Sequence, residues 1–183
     1  MPVDPSAIRT WANAVTVGRL LISPLMFAII PADNVGSWAA TGLWFLLCLS
    51  DLVDGQLARK HGTTRSGAFL DPLADKVCVL GAMFILVSRG MFSPWLVGLI
   101  AAREIAISLY RVFAGAKGVS VPASKAAKFK TFAQQVSVGF AVLPLSAADY
   151  NYLAKGSLAI ATVLTLYSGL QYAAVAFKAR KQA

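Results

Sequence analysis

Residues 51–75 read DLVDGQLARKHGTTRSGAFLDPLAD. Strongly apolar runs flank this stretch on both sides. Within it stand Asp51, Asp54, Asp71 and Asp75, half of the chain's eight acidic residues. A carboxylate at the edge of a membrane-like segment is costly unless it is paired, hydrated or holding a cation. The stretch is therefore either a wetted connection or a working site, and its flanks decide the fold.

Outward from it, apolar residues make up 57% of the 183 positions and charged residues 14%, with a mean hydropathy of +0.66. Several runs approach the roughly 20 apolar residues that cross a hydrocarbon layer of about 30 Å. The expectation is an all-α integral membrane protein in one domain, residues 1–183. A short interfacial helix (1–11), with Trp11 at headgroup depth, precedes a bundle of six transmembrane helices (12–178). The expected spans are 12–30, 37–60, 66–88, 94–113, 125–145 and 150–177, separated by Gly, Pro and polar punctuation. Asp51 and Asp54 fall in the last turns of the second span, and Asp71 and Asp75 in the first turns of the third. The short turn between them predicts antiparallel neighbours.

The net charge of +9 is not distributed as a nucleic-acid footprint, because no arginine-rich tail or aromatic-interleaved basic patch is present. With six spans, one side of the membrane holds Arg9, Arg59, Lys60, Arg65, Arg111, Lys117, Lys125, Lys128, Lys130, Lys178, Arg180 and Lys181. The other holds only Arg89 and Lys155. That asymmetry places both termini and the aspartate stretch on the cytoplasmic side. Cys48 and Cys78 lie in apolar runs without metal-ligand spacing and read as small packing residues.

Asp51 and Asp54 are spaced i, i+3, and Asp71 and Asp75 are spaced i, i+4, so each pair shares a helix face. Four anions converging at one depth repel strongly at low dielectric. Two hard divalent cations, Mg²⁺ or Mn²⁺, would cancel that repulsion and could clamp a phosphoryl group. Gly55, Ala58 and Gly67 leave room for a ligand to approach, and Arg59 can offer a planar fork of donors to phosphate. A blander reading makes Asp71-Pro72 an N-cap with Pro at the first helical position, and Asp51 and Asp54 residues of a wet helix end. The bland reading explains either pair alone, but not four acids, two glycines, an alanine and an arginine in one window.

The pattern D-x-x-D-G-x-x-A-R, seven residues, then G-x-x-x-D-x-x-x-D, complete at Asp51, Asp54, Gly55, Ala58, Arg59, Gly67, Asp71 and Asp75, resembles the signature of the CDP-alcohol phosphatidyltransferases. The resemblance implies a six-helix enzyme of the bacterial plasma membrane, usually a homodimer, with its site near the cytoplasmic surface. It implies attack of an acceptor hydroxyl on the lipid-linked phosphorus of CDP-diacylglycerol, with CMP leaving. It further implies that Asp51, Asp54, Asp71 and Asp75 hold two metal ions and that Asp75 is also the base. Asp54, Gly55, Ala58, Arg59 and Gly67 would line the CDP pocket.

Within that family the chain is most similar to the subgroup whose acceptor is glycerol 3-phosphate. Asn13, Thr16, Arg19 and Pro24 match its opening N-x-x-T-x-x-R-x-x-x-x-P, as do FLDPLADK, Arg103-Glu104 and Lys128-Phe129-Lys130-Thr131. Ala12 and Ala127 depart from a proline and a glycine usual there. Independently, Arg103 and Arg111 lie on roughly one helix face, and Lys125 and Lys128 on another. With Lys130 they form a candidate site for the acceptor's phosphate. Lys125, Lys128 and Lys130 can equally be read as positive-inside anchors. Arg103 lies deeper, and pairing with Glu104 is not expected, since adjacent helical positions diverge. Inositol phosphate or phosphatidylglycerol as acceptor remains an alternative within the family. An ion transporter is the alternative from another class, disfavoured because all four acids cluster at one end.

Overall fold

The computed structural model describes residues 11–32, 35–61, 65–116, 125–144 and 151–181, with side chains over 14–32, 35–51, 73–114, 128–144 and 152–174. Residues 1–10 of the expected interfacial helix lie outside these. The described residues are helical, without strand: α1 (Trp11–Ile29), α2 (Trp38–His61), α3 (Arg65–Ser88), α4 (Pro94–Ala116), α5 (Lys125–Val142) and α6 (Asn151–Lys181). At about 1.5 Å per residue even α5, with 18 residues, is nearly as long as a hydrocarbon layer is thick. By length and hydropathy together, one described stretch, Tyr152–Ala174, is apolar enough to cross a membrane, while Ala14–Ile29 and Trp38–Asp51 are apolar but shorter.

The helix ends follow local chemistry. Ser37 caps α2, its Oγ accepting from the Ala40 N–H at 3.4 Å, and Pro94 opens α4 where a missing N–H costs nothing. The α3 exit is a Schellman turn. Gly90 takes φ 74°, Met91 N–H donates to the Leu86 carbonyl at 3.0 Å, and Met91 and Phe92 are then buried. Because α3 begins at Arg65, Asp71-Pro72 lies inside the helix. The N-cap reading of that dipeptide does not hold.

Over the described residues α1 packs along both α2 and α3, and α5 touches both; the turn at which α2 and α3 are expected to meet, residues 62–64, lies outside the described residues. α6 packs along α5 and against α4, and α4 returns to α3. The core between them holds Met26 of α1 and Ile30 just beyond its end, Trp44 of α2, Met83 of α3, Ile100 of α4 and Val138 of α5. Outward-facing positions are also apolar: Leu21, Phe45, Trp95, Phe113, Val163 and Leu170 are all exposed. Such a surface is the reverse of what water selects.

The end of the bundle away from the aspartates is clamped. The Ser37 N–H and the Thr41 hydroxyl both donate to the Val142 carbonyl, at 2.9 and 3.0 Å. Gly36 makes the close approach possible, with φ +77° and only 2.8 Å between a built Cβ and the backbone of Leu143 and Pro144. Gly36→Ala meets both a left-handed backbone and a backbone clash. It is expected to cost about 2 kcal/mol or more of stability, read as a lower unfolding temperature in detergent with turnover by the surviving folded protein unchanged.

Candidate active site

α1 presents a polar seam, Thr16, Arg19 and Ser23, at spacings that keep all three on one face, and all three are buried. Arg19 is 4% exposed. Its Nη1 donates to Asp51 Oδ1 on α2 at 2.5 Å. Ser23 Oγ donates to the Arg19 carbonyl at 2.7 Å, tightening the turn before Pro24, which has no N–H to contribute. A guanidinium this deep requires an anion, and the second helix supplies one at the same level.

Asp75 on α3 stands within electrostatic reach of Asp51, Arg19, Lys76 and Lys130. Its Oδ1 is buried and has no hydrogen-bond partner among the described residues. An ionised oxygen left in that state is unfavourable by itself. With a second carboxylate close by, it fits a hard divalent cation, whose preferred ligands are carboxylate oxygens. Among the described residues no three ligating side chains gather, because Asp51 and Asp75 are the two of the four aspartates whose side chains are described. Asp54 and the residues at 55, 58 and 59 lie on α2, and Gly67 and Asp71 on α3. The backbone of these positions is helical, and their side chains are outside the described residues.

The second cluster joins three helices. Glu104 Oε1 on α4 accepts from Lys130 Nζ on α5 and, at 3.3 Å, from Arg103 Nη1. Arg103 Nη2 donates to Ser168 Oγ on α6 at 2.8 Å, and the guanidinium lies 5.6 Å from the centre of the Tyr172 ring. Gly169 makes way for it: a Cβ there would come within 3.3 Å of Arg103 Cγ. Below, Gln134 Nε2 donates to Thr165 Oγ1 at 3.1 Å. The expectation that Arg103 would not pair with its sequence neighbour is corrected. Adjacent Cβ atoms do diverge on a helix, but both side chains are long enough to curl toward the same buried ammonium of Lys130. Of the other predicted acceptor-site residues, Arg111 and Lys128 are exposed, and Lys125 is the first residue of α5, its side chain outside the described residues.

A buried carboxylate oxygen without a partner among the described residues, a second carboxylate within electrostatic reach of it, and a buried cationic cluster are among the parts a phosphoryl transferase needs. The profile of the CDP-alcohol phosphatidyltransferase family matches residues 9–167. The chain belongs to that family.

Similar members include a probable phosphatidylglycerophosphate synthase of Mycobacterium tuberculosis, 35% identical over 179 residues covering 93% of this chain and 83% of the relative. A CDP-diacylglycerol–glycerol-3-phosphate 3-phosphatidyltransferase of Bacillus subtilis is 32% identical over 87% of this chain and 91% of its own. One of the same name from Rickettsia typhi is 32% identical over 95% and 98%. As a CDP-alcohol phosphatidyltransferase the chain is an enzyme. Two residues of these buried clusters carry a signal in the sequence itself. Arg19 interrupts an apolar run, which demands an acid at equal depth. Glu104, the chain's single glutamate, sits in another, which demands a cation.

Proposed function

We propose that this protein transfers the phosphatidyl group of CDP-diacylglycerol to a hydroxyl of glycerol 3-phosphate. The acceptor oxygen forms a bond to the lipid-linked phosphorus, the bond from that phosphorus to the bridging oxygen breaks, and CMP leaves. The hydroxyl proton passes to Asp75. The observation that carries this reading is the buried, unpartnered Oδ1 of Asp75, within electrostatic reach of both Asp51 and Lys130. One carboxylate thus stands between a cation-seeking pair and an anion-seeking cluster.

Asp51, Asp54, Asp71 and Asp75 would hold two Mg²⁺ or Mn²⁺ ions, which when bound neutralise the pyrophosphate of the donor. Asp54, Gly55, Ala58, Arg59 and Gly67 would receive the cytidine diphosphate portion. Lys130 and Arg103 would meet the acceptor's phosphate, with Arg111, Lys125 and Lys128 guiding it in from the aqueous side. The names of the relatives support the choice of acceptor. In this reading the six helices cross a bacterial plasma membrane as a homodimer with the site on the cytoplasmic face. The exposed apolar positions and the one-sided basic residues support that placement.

The test is CMP release by purified protein given CDP-diacylglycerol and, in turn, glycerol 3-phosphate, inositol phosphate and phosphatidylglycerol, each with and without chelator. Release is expected with glycerol 3-phosphate alone and is expected to vanish with chelator. Incorporation of inositol phosphate in its place would reassign the acceptor, and chelator-resistant turnover would remove the metal ions.

A further inference from the structure

We propose that Glu104 is a positioning residue for the acceptor: by accepting from Lys130 and Arg103 through one oxygen, it holds two cations side by side as a ready seat for a phosphate monoester. The inference rests on the reading of the site as a glycerol 3-phosphate phosphatidyltransferase, and it concerns a residue that touches neither substrate in that reading.

Glu104 is 6% exposed and Lys130 5%, and both the Lys130 ammonium and Arg103 Nη1 address the same Oε1. Within this trio two cations face one anion, one positive charge in excess, and Lys76 and Asp75 are further charges of opposite sign within reach of Lys130. Arg103 Nε is buried with no partner among the described residues. An uncompensated buried charge is unfavourable unless a further anion completes the set. The excess lies beside the reaction, since Lys130 is within electrostatic reach of Asp75. Without Glu104, Lys130 and Arg103 would repel each other at short range. Each would swing to its own solvation, and the pair would no longer match the spread of a phosphate's oxygens. Arg103 is also held from behind by Ser168 and the Tyr172 ring, so Lys130 is the member that Glu104 chiefly restrains.

The experiment compares wild type, Glu104→Gln and Glu104→Asp in detergent, measuring kcat and KM for glycerol 3-phosphate and for CDP-diacylglycerol, and inhibition by inorganic phosphate. Glu104→Gln keeps the shape and removes the charge. It is expected to raise the KM for glycerol 3-phosphate about tenfold or more, the effect of losing one charge-assisted contact. Phosphate inhibition should weaken in parallel, with the KM for CDP-diacylglycerol unchanged. Glu104→Asp keeps the charge on a shorter arm and is expected to lie between the two.

Several results overturn the proposal: an unchanged KM for glycerol 3-phosphate in both variants, an equal rise for both substrates, or two variants that do not fold, which makes the residue a structural ion-pair member. So does a fall in KM, which makes Glu104 a competitor of the phosphate. If wild type itself does not use glycerol 3-phosphate, the functional reading fails instead, and the two failures are thereby told apart.

Discussion

Asp75→Asn is expected to abolish turnover, lowering kcat roughly 10²- to 10⁴-fold, the range over which a positioned general base contributes. Asparagine fills the same space and keeps one oxygen, but cannot accept the proton that the acceptor hydroxyl must lose. Within electrostatic reach of Asp51 and Lys130, Asp75 has a buried oxygen without a hydrogen-bond partner among the described residues. Binding of CDP-diacylglycerol, followed as protection against thermal unfolding, is expected to be largely retained, because arginine and small residues along α2 and α3 would meet the nucleotide. The contrast between lost chemistry and kept binding is the diagnostic. Near-normal CMP release by Asp75→Asn would remove it from the reaction.

The second large effect is expected at Arg19. Removing one partner of a buried ion pair typically costs about 3–5 kcal/mol. Asp51, whose side chain is 31% exposed, keeps some contact with water, so about 2–3 kcal/mol is expected for Arg19→Met. The loss should appear as a lower unfolding temperature in detergent. In the double variant Arg19→Met, Asp51→Asn the orphaned carboxylate is gone, and part of the lost stability should return. A coupling of about 1–3 kcal/mol is the range for residues in direct contact. Purely additive single variants would mean that the 2.5 Å pair contributes nothing as a pair. Because Arg19 fixes one rotamer of Asp51, Arg19→Met should also weaken Mn²⁺ binding measured directly on the protein by electron paramagnetic resonance.

Both predictions concern charges that the apolar helices bring together, and they divide what was legible from what was not. The helices were readable because their cause is local. Apolar-rich runs, punctuated by Pro31, by Gly62 and by Ser93-Pro94, form hydrogen bonds within themselves whatever the partner. Observed bounds such as Trp38–His61 and Arg65–Ser88 fall within a residue of the expected ones. The aspartate motif was readable for the same reason, since i, i+3 and i, i+4 spacing fixes a shared face before any helix meets another. The α5 end was less so: the helix closes at Val142, three residues short of the expected limit, where the Val142 carbonyl turns to Ser37 and Thr41.

By itself, then, the sequence determined an all-helical chain and the face on which each acid sits. Only the tertiary structure decided which cation each acid meets. Arg19 reaches Asp51 across 32 residues, Lys130 reaches Glu104 across 26, and Arg103 reaches Ser168 across 65. It also set α1 along both α2 and α3, with α5 against each. The physical reason is range. A helix is specified by bonds four residues apart, whereas the partner of a buried charge depends on how several finished helices rotate and stack to bury their apolar faces.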